Sequence, residues 1–513
     1  MKQRSANLAT AHQTMANPRG IAILTGLSMT ITFLILFPFL HAPYFGDDLQ
    51  VFFALDPPSH LWGYFLHIET GTMDHAYRPI EAVLLTLIQQ HFWLNTVPIH
   101  VISIVVHACF CGMTAFLGLR LGLRNGEVAL ATLLTSISPE MATTLLGNDC
   151  MSQALSGMFS LLSIIFAYEA YRRKDEQTVS AATGFWLLGA LAYAMSVFSK
   201  ETGLGNIIGI TLIAGLMSWQ KAGLRKVIYS MAKLLSPYVL VALLYFAARH
   251  RAGVPLRAHE PVYQIHFGSN MIANVVVFVI GSFSPVSSLR ASLAFQTHDR
   301  FTLLLFAGLL FLVMLTLGVG VYLSKRRMLY LFLILLALAA LFPAIALAHV
   351  SELYLYSAVP YFALLAAAAF ADIWKYARAM RILVAASMAI MVIGLIDGNY
   401  QKAWHMDACG KDSTMMMMAI GRYAQALPAN GNVVLLDHKH NRPSYSIYLS
   451  DQDLASLEVG KLNVAQFYAR LMGRPDVKVS ICKDWLGCVP VQLPNEVVLQ
   501  MRNGQLIQVH PRL

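Results

Sequence analysis

The chain of 513 residues is 57% hydrophobic and only 12% charged, with a mean hydropathy of +0.58. A soluble globular protein carries about 25% charged residues, so a soluble fold is excluded and a polytopic α-helical membrane protein is expected. The net charge of +10 does not point to nucleic acid. Its basic residues fall in short clusters between apolar runs, the pattern that fixes orientation in a bilayer.

The first apolar run, Ile21 to Leu40, is longer than the 7–15 residues of a signal-peptide core, and no small-residue cleavage site follows it. It reads as a retained anchor preceded by a cytoplasmic N-terminus, residues 1–20. Spans need roughly 20 apolar residues. They are predicted at about 21–40, 97–119, 126–138, 150–168, 182–198, 203–219, 229–247, 301–323, 328–348, 353–373 and 381–396, about 11 transmembrane helices in a domain over 21–396. Basic clusters follow alternate spans: Arg120 and Arg124, Arg172 to Lys174, Lys221 to Lys226, Lys325 to Arg327, Lys375 to Arg381. With Lys2, Arg4 and Arg19 they all lie on the cytoplasmic side together. Met271 to Phe283 is apolar, but counting it as a span would move the 325–327 triplet outside. It is therefore expected to be a re-entrant or interfacial helix.

This orientation leaves three polar segments outside the cytoplasm: loops 41–96 and 248–300, and a tail, 397–513. The tail reads as a small extracytoplasmic α/β domain. Helices are expected at 413–426 and 465–472, strands at 433–436 and 477–482, and a hairpin of 497–502 with 505–510 around Asn503-Gly504. Cys482 and Cys488 are spaced for a small-loop disulfide if the tail is outside the cytoplasm. Met415 to Met418 read as helix packing.

Chemistry gathers in the outward segments. Asp47 and Asp48 follow the first span. Adjacent carboxylates raise each other's proton affinity, and one of them can serve as general base, the alternative being a polar cap on the span. Arg78, in Tyr77-Arg78-Pro79, offers a fork for phosphate, or an ion pair with Glu81 or Asp74. Pro79 suits the first turn of a helix over 80–93. Lys200 and Glu201 lie in a very short connection at the membrane boundary. Lys200 either draws a lipid-linked phosphate to the bilayer face or snorkels. Glu140 and Asp149 occupy the next outward turn, as cavity-lining residues or helix caps. Glu352, with Tyr354 and Tyr356, opens a later span on the same side.

These stretches, in this order, resemble the GT-C class of integral-membrane glycosyltransferases that use polyprenyl-phosphate sugars. They are most similar to the membrane half of the transmembrane and tetratricopeptide-repeat O-mannosyltransferases and their bacterial relatives. The likeness covers roughly residues 20–375. It is carried by Asp47-Asp48, Tyr77-Arg78-Pro79, His100 and His107, Pro139-Glu140 with Gly147-Asn148-Asp149, Ser199-Lys200-Glu201-Thr202, and Glu352 to Tyr356. It departs at Asn148, where that family often has Arg, and at Ser103, where it often has Asn. No tetratricopeptide repeats follow, so protein O-mannosylation is not implied.

The resemblance implies transfer of a sugar from a polyprenyl-phosphate carrier to a glycan, lipid or protein acceptor on the extracytoplasmic face of a bacterial inner membrane. Asp47 or Asp48 would be the base, Arg78 and Lys200 would bind the donor phosphate, and Glu140, Asp149, Glu201, Glu352 and Tyr356 would line the cavity. A divalent cation at the acidic pair is compatible with this scheme, although no His/Cys ligand spacing marks a metal site. The alternative is a transporter or flippase for a lipid-linked or anionic solute. Such proteins keep ionisable residues near mid-membrane, often with repeat symmetry. Here the charges gather in outward loops.

Overall fold

The structure is a computed structural model. It describes residues 18–44, 48, 60–66, 77–93, 95–175, 179–219, 224–254, 264–348, 350–376, 378–436, 458–459, 462–463, 466, 469, 472–482, 495–502 and 505–509. Helices follow in chain order as α1 (Pro18–Leu36), α2 (Gly63–Leu66), α3 (Pro79–Phe92), α4 (Val97–Arg120), α5 (Asn125–Ser136), α6 (Met141–Leu146), α7 (Met151–Asp175) and α8 (Val179–Ser199). Then come α9 (Asn206–Trp219), α10 (Leu224–Arg251), α11 (Ser269–Phe283), α12 (Ser288–Gln296), α13 (Arg300–Leu323), α14 (Arg327–Ile345), α15 (Val359–Ile373) and α16 (Arg378–Ala426). Proline in the first turn starts α3, α4 and α15, where its missing N–H costs no helical bond.

Among the described residues nine helices are long and apolar enough to cross a membrane, or ten if α11 and α12 count as one span. The sequence led to about eleven. The difference lies at 126–138 and 203–219, where α5 has 12 residues and α9 has 14. The turn at Pro139 stops the first, and the 3₁₀ turn Glu201–Gly205 delays the second. The pair α11 and α12 bends by 114°, as a broken span or a re-entrant loop does, in line with the reading of 271–283.

Helix α15 sits at the centre, buried along nearly its whole length. Its alanines 366–369 let neighbours close in, and Gly320 of α13 rests against the Ala369 backbone. The last spanning segment does not stop at 396, because α16 continues unbroken to Ala426. A side chain at Gly394 would strike the Pro285 carbonyl at the α11–α12 bend, and one at Gly410 would strike the Pro43 carbonyl. The long helix thus holds the re-entrant bend and the start of the first loop at backbone contact.

The tail forms β1 (Asn432–Leu436), β2 (Glu458–Val459), β3 (Leu462–Asn463), β4 (Lys478–Cys482), β5 (Glu496–Arg502) and β6 (Gln505–Gln508). The main sheet has the order β4-β1-β5-β6, with β1 parallel to both neighbours and β5 antiparallel to β6. Arg502 faces Gln505 across the expected hairpin. Asn503-Gly504, Cys488 and most of 465–472 lie outside the described residues, so neither the turn type nor the disulfide expectation can be matched to a geometry. Val433, Leu435 and Leu499 pack with Met417, Ile420 and Ala424 of α16. The same apolar cluster takes in Tyr44, Leu85, Ile88, Ile99, Met151 and Leu155, so the sheet rests on the ends of α3, α4 and α7 that carry the polar site.

Candidate functional site

The exit of α1 is pinned first. The His100 imidazole on α4 lies 2.8 Å from the Leu40 carbonyl through Nδ1 and 3.1 Å from the Leu146 carbonyl through Nε2. This ties the start of the first loop to α6. Asp48 is then fixed on the turn between α6 and α7. It accepts hydrogen bonds from Asn148 Nδ2 at 2.8 Å and from the Asp149 backbone N–H at 3.0 Å. Burial, helped by the Asp149 charge, pushes the Asp48 carboxyl well above the usual carboxylate range, while the two hydrogen bonds pull the other way. Asp149 also accepts from Cys150 Sγ at 3.2 Å. Asp47 lies outside the described residues, so the acidic pair that the structure presents is Asp48 with Asp149.

The cations stand beside it. Arg78, the residue before Pro79, forks onto Glu201, with Nε–Oε2 at 3.4 Å and Nη2–Oε1 at 3.2 Å, and lies 3.9 Å from Glu81. Glu81 accepts from the Ser152 backbone N–H at 2.9 Å, at the positive end of α7. Burial outweighs the nearby Arg78 and Lys200 charges and raises Glu81 to about 7. Lys200 is buried, with its ammonium 5.9 Å from the Tyr354 ring centroid. Desolvation and the Arg78 charge lower its pKa, against the pull of Glu201 and Asp149. Arg249, at the end of α10, donates to the Tyr245 hydroxyl at 3.3 Å, and Tyr245 is within electrostatic reach of Glu201 and Arg78. Five chain segments far apart in sequence therefore bring Asp48, Arg78, Glu81, Asp149, Lys200, Glu201 and Arg249 to one end of the bundle.

The remaining expected residues form a neighbouring group. Lys402 of α16 is almost fully buried. It donates to the Pro139 carbonyl at 2.6 Å and pairs with Glu352 at 2.8 Å. One turn earlier, Asn399 donates to the carbonyls of Ile137 and Ser138 and accepts from the Ala142 N–H at 2.9 Å. Glu352 also accepts from Thr143 at 3.4 Å and from Ser288 at the start of α12. Glu140 is fully buried, and desolvation raises it to about 7. Tyr356 is packed into the core, stacked on Phe110, with its hydroxyl 2.9 Å from His107 Nδ1. The first turn of α7 separates the two groups: Ser152 faces Glu81, and Gln153 donates to Ser357 at 3.0 Å.

Sequence reasoning treated Glu81 only as a partner for Arg78, and it passed over Lys402. The signal for Glu81 was its place one turn after Arg78 on a helix that Pro79 begins. Lys402 was hidden by a span boundary drawn at 396. Among the described residues no group of three or more His, Cys, Asp or Glu could hold a metal ion. The positive charge nearest Asp149 comes from Lys200, with Arg78 next to it.

No protein-family model and no curated protein matches the chain. Solved structures do. One is ArnT from Cupriavidus metallidurans bound to undecaprenyl phosphate, with 13% identity and a TM-score of 0.50, over 90% of this chain and 89% of that one. Two others are the Archaeoglobus fulgidus oligosaccharyltransferase in its apo form, and AglB from the same organism with an inhibitory peptide and a dolichol-phosphate. Each is 14% identical. Their TM-scores of 0.45 and 0.46, over 57% and 58% of their own lengths and 77% and 80% of this chain, overlap too little to bear on the fold. The ArnT likeness spans nearly the whole of both chains, and with it the protein is seen to have the GT-C-like membrane fold that its motifs resemble.

Proposed function

We propose that the protein transfers a sugar from a polyprenyl-phosphate carrier to an acceptor hydroxyl at the extracytoplasmic surface of a bacterial inner membrane. The observation that carries this reading is the meeting of Asp48 and Asp149 with Arg78, Lys200 and Arg249 at one end of the bundle. The basic residues Arg120, Arg124, Arg172 and Arg326 gather at the other end, which supports a cytoplasmic assignment there. On this orientation residues 1–20 are cytoplasmic and the sheet-bearing tail is outside.

The carrier's phosphate meets the three cations, with Glu201 aiming the Arg78 fork. Asp48, whose proton affinity is raised by burial and by Asp149, takes the proton of the acceptor hydroxyl. The acceptor oxygen forms a bond to the anomeric carbon as the bond from that carbon to the phosphate oxygen breaks. The polyprenyl phosphate leaves with the electron pair, its charge met by groups already in place. A single displacement of this kind inverts the anomeric centre.

The test uses the purified full-length chain with undecaprenyl-phosphate-linked sugars and isolated envelope acceptors. Asp48→Asn is expected to lower turnover by about 10²–10⁴ while leaving donor binding intact, with Asp47→Asn run beside it. Transfer at the parental rate in both variants overturns the assignment of the base.

A further inference from the structure

Asp48 is only 2% exposed, yet a general base must be ionised before it can take a proton. Burial and the Asp149 charge both favour its neutral form. Against them stand two hydrogen bonds, one to each carboxylate oxygen. Asn148 Nδ2 reaches Oδ2 at 2.8 Å, and the Asp149 backbone N–H reaches Oδ1 at 3.0 Å. Both donors are neutral. The other titratable groups within electrostatic reach of Asp48 are Tyr44, ahead of it in the chain, and Cys150 on the same turn. Glu81 and Lys200 lie within reach of Asp149.

The turn that presents these donors is itself fixed. The Leu146 carbonyl, at the end of α6, lies against His100 Nε2, and the same imidazole meets the Leu40 carbonyl through Nδ1. The two stretches of chain that lead to Asp48 and to Asn148 therefore hang on one ring. Gly147 donates to the Thr143 carbonyl at 3.1 Å and accepts from the Cys150 N–H at 3.1 Å. A side chain at Gly147 would strike the Thr143 carbonyl and Cys150 Sγ. The Asn148 carbonyl accepts from the Met151 N–H at 3.4 Å, where α7 begins. Asn148 is 1% exposed, so water does not compete for its amide.

We propose that Asn148 is the positioning residue of the base: its neutral amide fixes the Asp48 carboxylate on the α6–α7 turn and keeps it ionised. This rests on the glycosyl-transfer reading above and adds a residue to it. A backbone N–H would serve the other oxygen with almost any side chain at 149. Of the two donors only Asn148 depends on residue type, so this position sets how readily the base works. A cation there would hold the carboxylate's charge too firmly for it to take a proton, and an apolar residue would leave the carboxyl neutral.

The experiment titrates Asp48 in the detergent-purified full chain, with a chelator present so that no cation competes for the carboxylate. The readout is the infrared carbonyl stretch of the protonated acid, assigned as the band that Asp48→Asn removes. Asn148→Leu keeps the side-chain shape and drops the donor. Its Asp48 midpoint should rise by about one to two pH units, the size of one hydrogen bond to a charged group. The acidic limb of kcat/KM for transfer from undecaprenyl-phosphate-linked sugars should rise with it, while donor KM stays parental. Asn148→Ala is measured beside it, and a parental thermal midpoint marks the variant to be read. A merely structural role would lower the thermal midpoint and leave both pH readouts in place, which overturns the inference. A shifted infrared midpoint with an unshifted limb also overturns it, because Asn148 would then hold a carboxylate that is not the base. A parent that transfers no sugar defeats instead the glycosyl-transfer reading, and the infrared titration still decides whether Asn148 keeps Asp48 ionised.

Discussion

The two ends of the helical bundle both bury charge, and they treat it differently. At one end Glu127 accepts from Arg124 and from Arg326, and Arg326 in turn pairs with Asp372 at 2.9 Å. Asp372 takes further hydrogen bonds from Ser324, Tyr330 and Lys375. Nearby, Glu169 pairs with Arg120 at 2.9 Å and with Arg172 at 3.3 Å. The first network closes on itself and ties α5 to α14 and α15, whereas the second ties α4 to α7 with Arg120 Nε and Glu169 Oε1 paired outside hydrogen-bond geometry. At the other end Asp48 stands beside a second carboxylate, and Glu81 and Glu140 are raised toward neutrality by burial. Several oxygens there have no donor. A saturated network has a structural role. One left unsaturated in a low-dielectric setting is held at a cost of a few kcal/mol per group, and function is the usual return.

That contrast can be broken by substitution. Arg326→Met leaves Glu127 and Asp372 without their shared cation. It should destabilise the protein by about 3–5 kcal/mol, read as a lowered thermal midpoint in detergent, while the folded fraction keeps the parental KM for a lipid-linked sugar. A changed KM with unchanged stability would reverse the roles given to the two ends. Lys200→Met should do the opposite. It removes one cation from the proposed phosphate site, so donor KM should rise by about tenfold to a hundredfold, the range for a hydrogen bond to a charged group, with little change in thermal midpoint.

The smallest effect concerns pH. Glu81 titrates near 4.5 when unfolded and at about 7 when folded. Between those values the folded chain keeps a proton that the unfolded chain has lost. Stability therefore falls as pH rises from about 4.5 to 7, and levels off above. Glu81→Gln should remove about half of that slope, because Glu140 is raised over the same range and keeps its own share. An unchanged slope would show that Glu81 does not carry its proton as its burial implies.

Much of this was legible in the sequence. Apolar run length and the alternation of basic clusters gave the membrane class and most helices, since both are local properties. The strands at 432–436, 478–482 and 496–502 were legible for the same reason. Which polar residues meet was harder to read. Asp48, Arg78, Lys200 and Glu201 were expected to converge, and the structure brings them together. Asp149 became the partner carboxylate through a turn geometry that no periodicity encodes. Glu140, Glu352 and Tyr356 fall on the far side of the first turn of α7, a division set by how α16 and the 352–358 turn pack. The helices α5 and α9 are shorter than the spans read at 126–138 and 203–219, because hydropathy does not record where a turn begins.

Helix α16 runs for 49 residues without interruption, a rod of about 70 Å at the usual rise. A hydrocarbon core is about 30 Å thick, so a large part of the rod stands clear of lipid and sets the height at which the sheet is carried. Lys402 and Asn399 grip the 137–142 turn partway along it, and Ile420 and Ala424 seat the sheet further on. Tail and acidic turn therefore share one shaft. A single residue added between those two grips would swing the sheet by about 100° around the axis, and anything that pulls on the tail has a mechanical line to the acidic turn.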